Sequence, residues 1–196
     1  MKTKLDIEAR SQLFTEARTY NSWGNEPLSD ETLMEIYELA KWGPTAANSN
    51  PARFLFVRSP EGKTRLIKHL SPGNVEKTQS APVCVIVAQD NEFYEFMPQL
   101  FPSRDMKAAF TDKPDLIEET GTRSSTLQGA YLMLAARSLG YDVGPMSGFN
   151  NASLDADFFP DGRWKSNFLI NLGHGTSDGL FERNPRLEFD QACRLV

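Results

Sequence analysis

The feature of this sequence that most constrains its fold is an uninterrupted apolar run, Ala81-Pro-Val-Cys-Val-Ile-Val-Ala88. Residues rich in Val and Ile favour a strand, and a strand without alternating polar positions is typical of one buried on both faces. Phe168-Leu-Ile-Asn-Leu172 and the shorter Phe54-Leu-Phe-Val57 also indicate strands. The sequence therefore predicts a small sheet with at least one fully buried strand.

Helical patterns occur between these strands. Ser29-Asp30-Glu31 predicts a helix start, because the serine oxygen caps free N–H groups and the acids stabilise the positive helix end. This helix is expected to stop before Gly43-Pro44. The strongest helical pattern covers residues 115–139, and its largely apolar part near 124–139 indicates a helix buried on several sides. Further helices are predicted at about 7–20, 61–70 and 153–159, and a turn is predicted at 144–148.

The order of these elements leaves two fold classes open. The alternation of strands and helices is α/β-like, but the helices come in blocks, so an α+β fold around a small mixed or antiparallel sheet is as well supported. Residues 91–114 are rich in apolar residues, with Pro98 and Pro102 between them, which fits an ordered loop, short helices or an oligomer contact. The length of 196 residues lies within the range of one domain, and we expect a single domain over residues 1–196.

Composition excludes several classes of protein. A hydrophobic content of 40% with thirteen Phe excludes a disordered chain, and a net charge of −5 argues against non-specific binding to nucleic acid or an anionic membrane. The N-terminal residues lack the apolar core of a signal peptide, and no apolar run reaches the ~20 residues of a membrane span. Two cysteines, Cys84 and Cys193, form no disulfide framework. We therefore expect a cytoplasmic protein with neither nucleic-acid nor membrane partners.

Motifs for several common chemistries are missing from the sequence. It has no Gly-x-Gly-x-x-Gly or Walker phosphate loop and no Gly-x-Ser-x-Gly nucleophile elbow. Two histidines, His69 and His174, are too few for a usual zinc or iron site, so no metal is expected. His69 is interpreted as a surface or packing residue. His174 follows a predicted strand end, where pockets often lie.

What remains is a set of small-residue loops and scattered cations. Residues 41–51 and 144–148 are rich in small residues, which let a flat ligand approach the backbone, and the first loop adds amides that both donate and accept hydrogen bonds. Phosphate binding needs cations, and the candidates are Arg18, Lys77, Arg183 and Arg186. Taken singly, each feature fits an ordinary loop or a solvated surface residue better than a binding site.

Taken together and in this order, from about Leu13 to Val196, these features resemble the FMN-dependent nitroreductase family. The basic-Ser-x-basic motif of that family corresponds here to Arg18-Thr-Tyr-Asn21. Its Pro-Ser-x-x-Asn-x-Gln-Pro loop corresponds to Pro44-Thr-Ala-Ala-Asn-Ser-Asn-Pro51, and its Pro-x-x-Gly loop to Pro145-Met-Ser-Gly148. Asn74 and Lys77 match a polar pair near the pyrimidine edge of the flavin, and Arg186 matches a basic residue that holds its phosphate.

The resemblance implies a nitroreductase-like α+β fold and an intertwined homodimer with a flavin at the subunit interface. It implies FMN as cofactor and NAD(P)H as electron donor, with ping-pong hydride transfer through flavin N5. The Ser147 backbone N–H would point at N5, and Lys77 is the expected cation near flavin N1/O2, because Asn21 occupies the second basic position of the motif. The cofactor-binding residues implied by the resemblance are Arg18, Thr19, Asn21, Pro44, Thr45, Ala46, Asn48, Asn50, Asn74, Lys77, Pro145, Met146, Ser147, Gly148 and Arg186.

Several stretches resemble one branch of the family, the malonic semialdehyde reductases of pyrimidine degradation. They are residues 14–19, 41–45, 73–74, 98–102, 128–132 and 144–149. This resemblance implies reduction of 3-oxopropanoate to 3-hydroxypropanoate, with Arg53 or Arg104 as the residue that meets the substrate carboxylate. The alternatives are a broad-specificity nitro or quinone reductase, a flavin-binding protein without turnover, and a non-flavin interaction protein. The choice between NADH and NADPH stays open.

Overall fold

The framework of the molecule is a four-stranded antiparallel sheet, seen in a computed structural model that describes residues 3–196. The strands are β1 (Ala52–Val57), β2 (Val83–Asp90), β3 (Asp142–Met146) and β4 (Trp164–Gly173). They lie in the order β1-β2-β4-β3, and every neighbouring pair is antiparallel. The predicted α+β fold is therefore confirmed. Of the two sheet types that the sequence left open, mixed and antiparallel, the sheet is antiparallel.

The helices cover this sheet and fill its connections. They are α1 (Ile7–Arg10), α2 (Asp30–Ala40), α3 (Pro60–Leu66), α4 (Pro72–Ser80), α5 (Met97–Leu100), α6 (Lys107–Phe110), α7 (Pro114–Ser138), α8 (Asn151–Phe158) and α9 (Phe189–Ala192). Ser29 caps α2 as predicted, since its Oγ accepts the Thr32 N–H at 3.2 Å. α1 continues only as a π-helical turn to Thr15, so the prediction of a helix to residue 20 is wrong at its end.

β2 lies at the centre of the core, which explains its apolar sequence. All eight of its residues are buried. Val83, Val85 and Val87 pack in one cluster with residues of α2 and α7, whereas Cys84 and Ile86 pack in another with residues of α3 and α8. Helices thus cover both faces of the sheet. The thiol of Cys84 is free, and burial raises its pKa to about 12.

α7 is the longest helix, and its buried face differs from the predicted one. Leu127 and Tyr131 are 43% and 38% exposed, although the sequence pattern predicts burial on several sides. The buried positions are instead mostly small or polar: Thr120, Gly121, Ser124, Ser125, Gln128, Gly129, Leu132, Ala135 and Ala136. Close packing explains this choice, because a Cβ at Gly129 would lie 2.4 Å from Cζ of Phe168 in β4.

The structure settles the open choice for residues 91–114 and corrects the prediction for residues 144–148. Residues 91–114 contain short helices around an apolar cluster of Phe93, Met97 and Phe110. The turn predicted at 144–148 is wrong in part, because its first three residues belong to β3. Pro145 is tolerated there because β3 is an edge strand of the sheet. Within residues 3–196, no helix has both the length and the apolar character that crossing a membrane requires.

The approach of β3 to the N-terminal segment gives a first prediction. Gly144→Ala is expected to destabilise the fold by about 1–3 kcal/mol, the usual cost of overpacking. The added Cβ would lie 2.5 Å from the Tyr20 carbonyl oxygen, a backbone atom that cannot rotate away. The free energy of unfolding from urea titrations measures the effect.

The matched control for this prediction is Gly73→Ala. Nothing lies within 4 Å of a Cβ at Gly73, and its position inside α4 favours alanine over glycine. This variant is expected to be at least as stable as the wild type. Equal stability of Gly144→Ala and the wild type would contradict the close contact between β3 and the backbone at Tyr20.

Candidate functional site

A strongly basic cavity of about 400 Å³ lies between the N-terminal and C-terminal segments of the chain. We call it the arginine cavity. Four arginines and a single acidic residue, Glu182, line it, together with Thr19 and Asn21. The arginines are Arg18, Arg137, Arg183 and Arg186. Such an excess of guanidinium groups favours a phosphate or another multiply charged anion, which arginine binds in a fixed fork geometry.

Hydrogen bonds between the chain ends shape the arginine cavity. The Tyr20 N–H donates to the Val143 carbonyl of β3 at 3.2 Å, which places the segment 18–21 beside the edge of the sheet. The Arg18 guanidinium donates to the carbonyl of Phe181, and Arg183 donates to that of Ala17 at 3.2 Å. The N-terminal and C-terminal segments therefore hold each other in place around the cavity.

A second cavity, of about 600 Å³, adjoins the first at Asn21 and Phe181, which line both. We call it the lysine cavity, because Lys77 on α4 lies in its wall. The Nζ of Lys77 lies 3.4 Å from Oδ1 of Asn21, and burial lowers the pKa of the lysine. Within residues 3–196, Lys77 belongs to no ion pair. Its charge is thus available to a ligand.

The loop after β3 is fixed by α4. Asn74 donates from Nδ2 to the Gly148 carbonyl at 2.8 Å, and the Ser71 N–H donates to the same oxygen at 2.9 Å. A Cβ at position 148 would lie 2.6 Å from Nδ2 of Asn74, so a larger residue there would displace the Asn74 side chain from this hydrogen bond. Ser147 is exposed on this loop, whereas the side chain of Met146 is buried in the core. A ligand could therefore reach the backbone at Ser147 but not the Met146 side chain.

The loop at 44–51 lies at a third cavity, of about 780 Å³, whose walls include Asn48 and Asn50. Asn48 donates to the Leu100 carbonyl at 2.9 Å, and the Asn50 N–H donates to Thr45 Oγ1 at 3.2 Å. Ala47, Asn48 and Asn50 have positive φ angles of 49°, 54° and 43°. Such angles are costly for residues with a Cβ, so the surrounding contacts must hold this loop in its shape.

Two residues of α7 provide those contacts, and sequence reasoning missed both. Ser124 accepts the Ala46 N–H at 3.3 Å. Gln128 accepts the Ala52 N–H at 2.8 Å through Oε1, and its Nε2 lies 3.4 Å from Oδ1 of Asn50. The available signal was a pair of polar residues four positions apart, which places both on the same face of the helix.

Arg53 and Arg104, the two residues predicted to bind a substrate carboxylate, differ sharply in their surroundings. Arg53 donates to Asp90, which is 1% exposed, at 2.6 Å, and to the Asn50 and Ala52 carbonyls at 3.1 and 2.8 Å. Both terminal nitrogens of Arg53 are therefore engaged, NH2 by Asp90 and NH1 by carbonyls at the end of the 44–51 loop and the start of β1. Arg104 is exposed, its Nε lies 3.2 Å from the sulfur of Met106, and its guanidinium lies over the Phe101 ring at 5.7 Å from the centroid. Arg104 is thus the freer of the two.

The structure sorts the predicted site residues into two groups. The first comprises Arg18, Thr19, Asn21, Asn74, Lys77, Pro145, Met146, Ser147, Gly148 and Arg186, which lie around β3, α4 and the two adjoining cavities. The second comprises Pro44, Thr45, Ala46, Asn48 and Asn50, which lead into β1. We call them the β3-edge group and the β1-edge group.

These two groups lie apart within one chain. β1 and β3 are the outer strands of the sheet, about 14 Å apart at a strand spacing of about 4.8 Å. They are also offset, since Ala52 aligns through Gln89 with Lys165 of β4, whereas Met146 pairs with Leu169. That difference of four residues adds about 13 Å along the strands. The cavities of the two groups share no lining residue.

Comparisons with known proteins bear on the family and the fold of the chain. Residues 15–174 match the nitroreductase family. Over 100% of both chains, the sequence is 62% identical to a protein of Rhodopseudomonas palustris (strain TIE-1) named as a candidate NADH dehydrogenase/NAD(P)H nitroreductase. Two solved structures with a TM-score of 0.84 and 21% identity have the same fold. One is a candidate nitroreductase of Exiguobacterium sibiricum in complex with FMN, with 100% of this chain and 99% of that one covered. The other is a candidate NAD(P)H:FMN oxidoreductase of Staphylococcus epidermidis, with 100% of both chains covered.

Proposed function

The chain belongs to the nitroreductase family, and from this premise we propose that it is an FMN-dependent oxidoreductase that uses NAD(P)H. The observation that carries the proposal is the junction of the arginine cavity with the lysine cavity at Asn21 and Phe181. FMN has a dianionic phosphate at one end and a flat heterocycle with hydrogen-bonding edges at the other. The donor set fits this molecule, with guanidinium groups in one cavity, a partly desolvated lysine in the next, and the amide of Asn21 in the wall of both.

Each of these residues has a distinct task in the proposed site. Arg18 and Arg186 bind the phosphate, and Asn21 lies between the phosphate end and the ring end. Asn74 fixes the Gly148 carbonyl and thereby the exposed Ser147 backbone, whose N–H is the proposed donor to flavin N5. Bound FMN supplies the redox chemistry, which is acceptance of a hydride from NAD(P)H and its transfer to a second substrate. We assign no side chain as a general acid.

Two acceptors are compatible with the chain, and each has its own support. Malonic semialdehyde is favoured by the sequence stretches that resemble that branch and by the exposed guanidinium of Arg104, which could meet a carboxylate. A broad range of nitroaromatic and quinone acceptors is favoured by the aromatic walls of the cavity at the β1-edge group. These walls include Tyr37, Trp42, Phe54, Phe56, Phe96 and Trp164.

Absorption spectroscopy tests the proposed function directly. The purified protein is expected to be yellow or to take up added FMN, and anaerobic NADPH or NADH is expected to bleach it. Reoxidation by 3-oxopropanoate, a nitroaromatic and a quinone then compares the acceptors, with the semialdehyde expected to react fastest.

Each other outcome points to a different protein. A yellow protein that stays oxidised with both nicotinamides would be a flavin-binding protein without turnover. A colourless protein that takes up no FMN would be a non-flavin protein with this fold. Faster reoxidation by the nitroaromatic or the quinone would identify a broad-specificity reductase in place of a malonic semialdehyde reductase.

Lys77 is the proposed source of positive charge at the ring end of the cofactor. Lys77→Met is expected to lower the two-electron midpoint potential of bound FMN by about 30 mV or more, because 30 mV corresponds to about 1.4 kcal/mol of lost charge stabilisation. Spectroelectrochemistry measures the potential. Lys107→Met is the control, since Lys107 is paired with Glu95 at 2.6 Å on α6, outside both cavities. An unchanged potential in Lys77→Met would remove this residue from the role.

We also propose an intertwined homodimer in which each flavin site takes its β3-edge group from one chain and its β1-edge group from the other. The offset between the two groups within one chain supports this proposal. So do exposed apolar residues on α2 and α7 and the wholly exposed segment 181–196, which a second copy would cover. These apolar residues are Met34, Tyr37, Leu39, Leu127, Tyr131, Phe181, Leu187, Phe189 and Leu195.

A subunit-complementation experiment tests the shared site. One variant carries Arg18→Ala with Arg186→Ala, and the other carries Asn48→Gly with Asn50→Gly, which keeps the positive φ angles accessible. Each variant alone is expected to bind FMN weakly. A heterodimer purified with two different tags is expected to regain one tight site for every two chains, because one of its sites combines both intact groups. If FMN titration finds no tight site in the heterodimer, both groups act within one chain and the shared-site proposal is wrong.

A further inference from the structure

The fourth arginine of the arginine cavity, Arg137, belongs to none of the sequence motifs. It lies in the last turn of α7, far along the chain from both the 18–21 segment and the tail. The other three arginines lie on the N-terminal segment or on residues 181–196, where every residue is exposed. Arg137 alone projects from a long helix packed on the sheet, so its position is the most rigidly fixed of the four.

The surroundings of Arg137 leave its charge without a direct partner. Its NH1 donates to the Leu13 carbonyl at 3.3 Å, and within residues 3–196 no ion pair includes it. Burial lowers its pKa, and the more distant charge of Asp142 opposes this effect. A half-buried cation without a carboxylate in contact is costly unless an anion completes the site.

Other arginines of the chain show what a fully paired guanidinium looks like here. Arg123, on the same helix, pairs with Glu119, and Arg163 reaches the buried carboxylate of Asp90 at 2.9 and 3.0 Å. Arg137 instead faces a cavity in which cations outnumber acids by four to one. A dianionic phosphate placed in that cavity would supply the missing negative charge.

We propose that Arg137 is a further phosphate-binding residue of the cofactor site, acting from α7 together with Arg18 and Arg186. The inference rests on the proposed FMN function. Arg137 would contact the phosphate from a helix packed on the sheet, whereas Arg18 and Arg186 would contact it from the two ends of the chain. The phosphate would then be held by one preorganised cation and by two whose segments are ordered by each other.

A comparison of FMN with riboflavin isolates the phosphate contribution. Riboflavin has the same ring and ribityl chain but lacks the phosphate. Flavin-free protein is titrated with each ligand, and quenching of flavin fluorescence gives the two dissociation constants. Arg137→Gln is expected to weaken FMN binding by about 10- to 100-fold, the usual worth of a charged hydrogen bond, and to leave riboflavin binding within about twofold. Arg137→Lys keeps the charge and is expected to lose less.

The controls separate this inference from the function on which it rests. Arg123→Gln removes a paired, exposed arginine from the same helix and is expected to change neither constant. If the wild type binds no FMN, the proposed function fails first. If the wild type binds FMN and Arg137→Gln binds it as tightly, or loses FMN and riboflavin equally, Arg137 serves only the packing beside Asp142 and the inference is overturned. Urea unfolding of Arg137→Gln identifies any general loss of structure, and Arg137→Lys then provides the decisive comparison.

Discussion

The packing of α7 across the sheet is the contact on which the rest of the structure depends. Gly129 lets the helix approach Phe168 so closely that no side chain fits between them, and Gly121 allows a tight approach to Gln89, whose amide would lie 3.1 Å from a Cβ there. From this fixed position, Ser124 accepts the Ala46 N–H of the strained 44–51 loop, and Gln128 accepts the N–H of Ala52, the residue that follows the loop at the start of β1. The same helix carries Arg137 to the arginine cavity near its other end. The helix α7 therefore positions both the β1-edge group and Arg137 in the wall of the arginine cavity.

The sequence predicts the layers of this fold well where burial dictates the residue type. β2 and β4 are visible as Val- and Ile-rich runs, and the Ser29 cap marks the start of α2 because capping is a local interaction. α4 was not predicted, since Pro72-Gly73-Asn74 resembles a turn, although proline is well suited to the first position of a helix. The exposure of Leu127 and Tyr131 was missed for a different reason, because helical periodicity cannot tell one chain's core from a surface that another chain could cover.

Some features of the candidate site could be predicted from short sequence motifs, whereas others depend on contacts that only the folded chain makes. Family motifs point to Arg18, Asn50, Gly148 and Arg186, because each lies in or beside a short run of residues that can be matched along the sequence. The pairing of Arg53 with Asp90 and the support of the loop by Gln128 depend on contacts between residues 37 and 76 positions apart. No spacing rule in the sequence shows such contacts. Arg137 belongs to this second class, since a terminal helix arginine is ordinarily a solvated residue near the negative end of the helix.

The reciprocal contacts of Arg18 with Phe181 and Arg183 with Ala17 join residues 163 and 166 positions apart. They close nearly the whole chain into one loop, a task that a disulfide often performs in small extracellular proteins. Here the closure is noncovalent, and a ligand held by arginines from both ends would tighten it by mass action. Retention of the ligand would then depend on intact chain ends. Proteolytic loss of residues at either terminus would therefore release the ligand before it affected the rest of the fold.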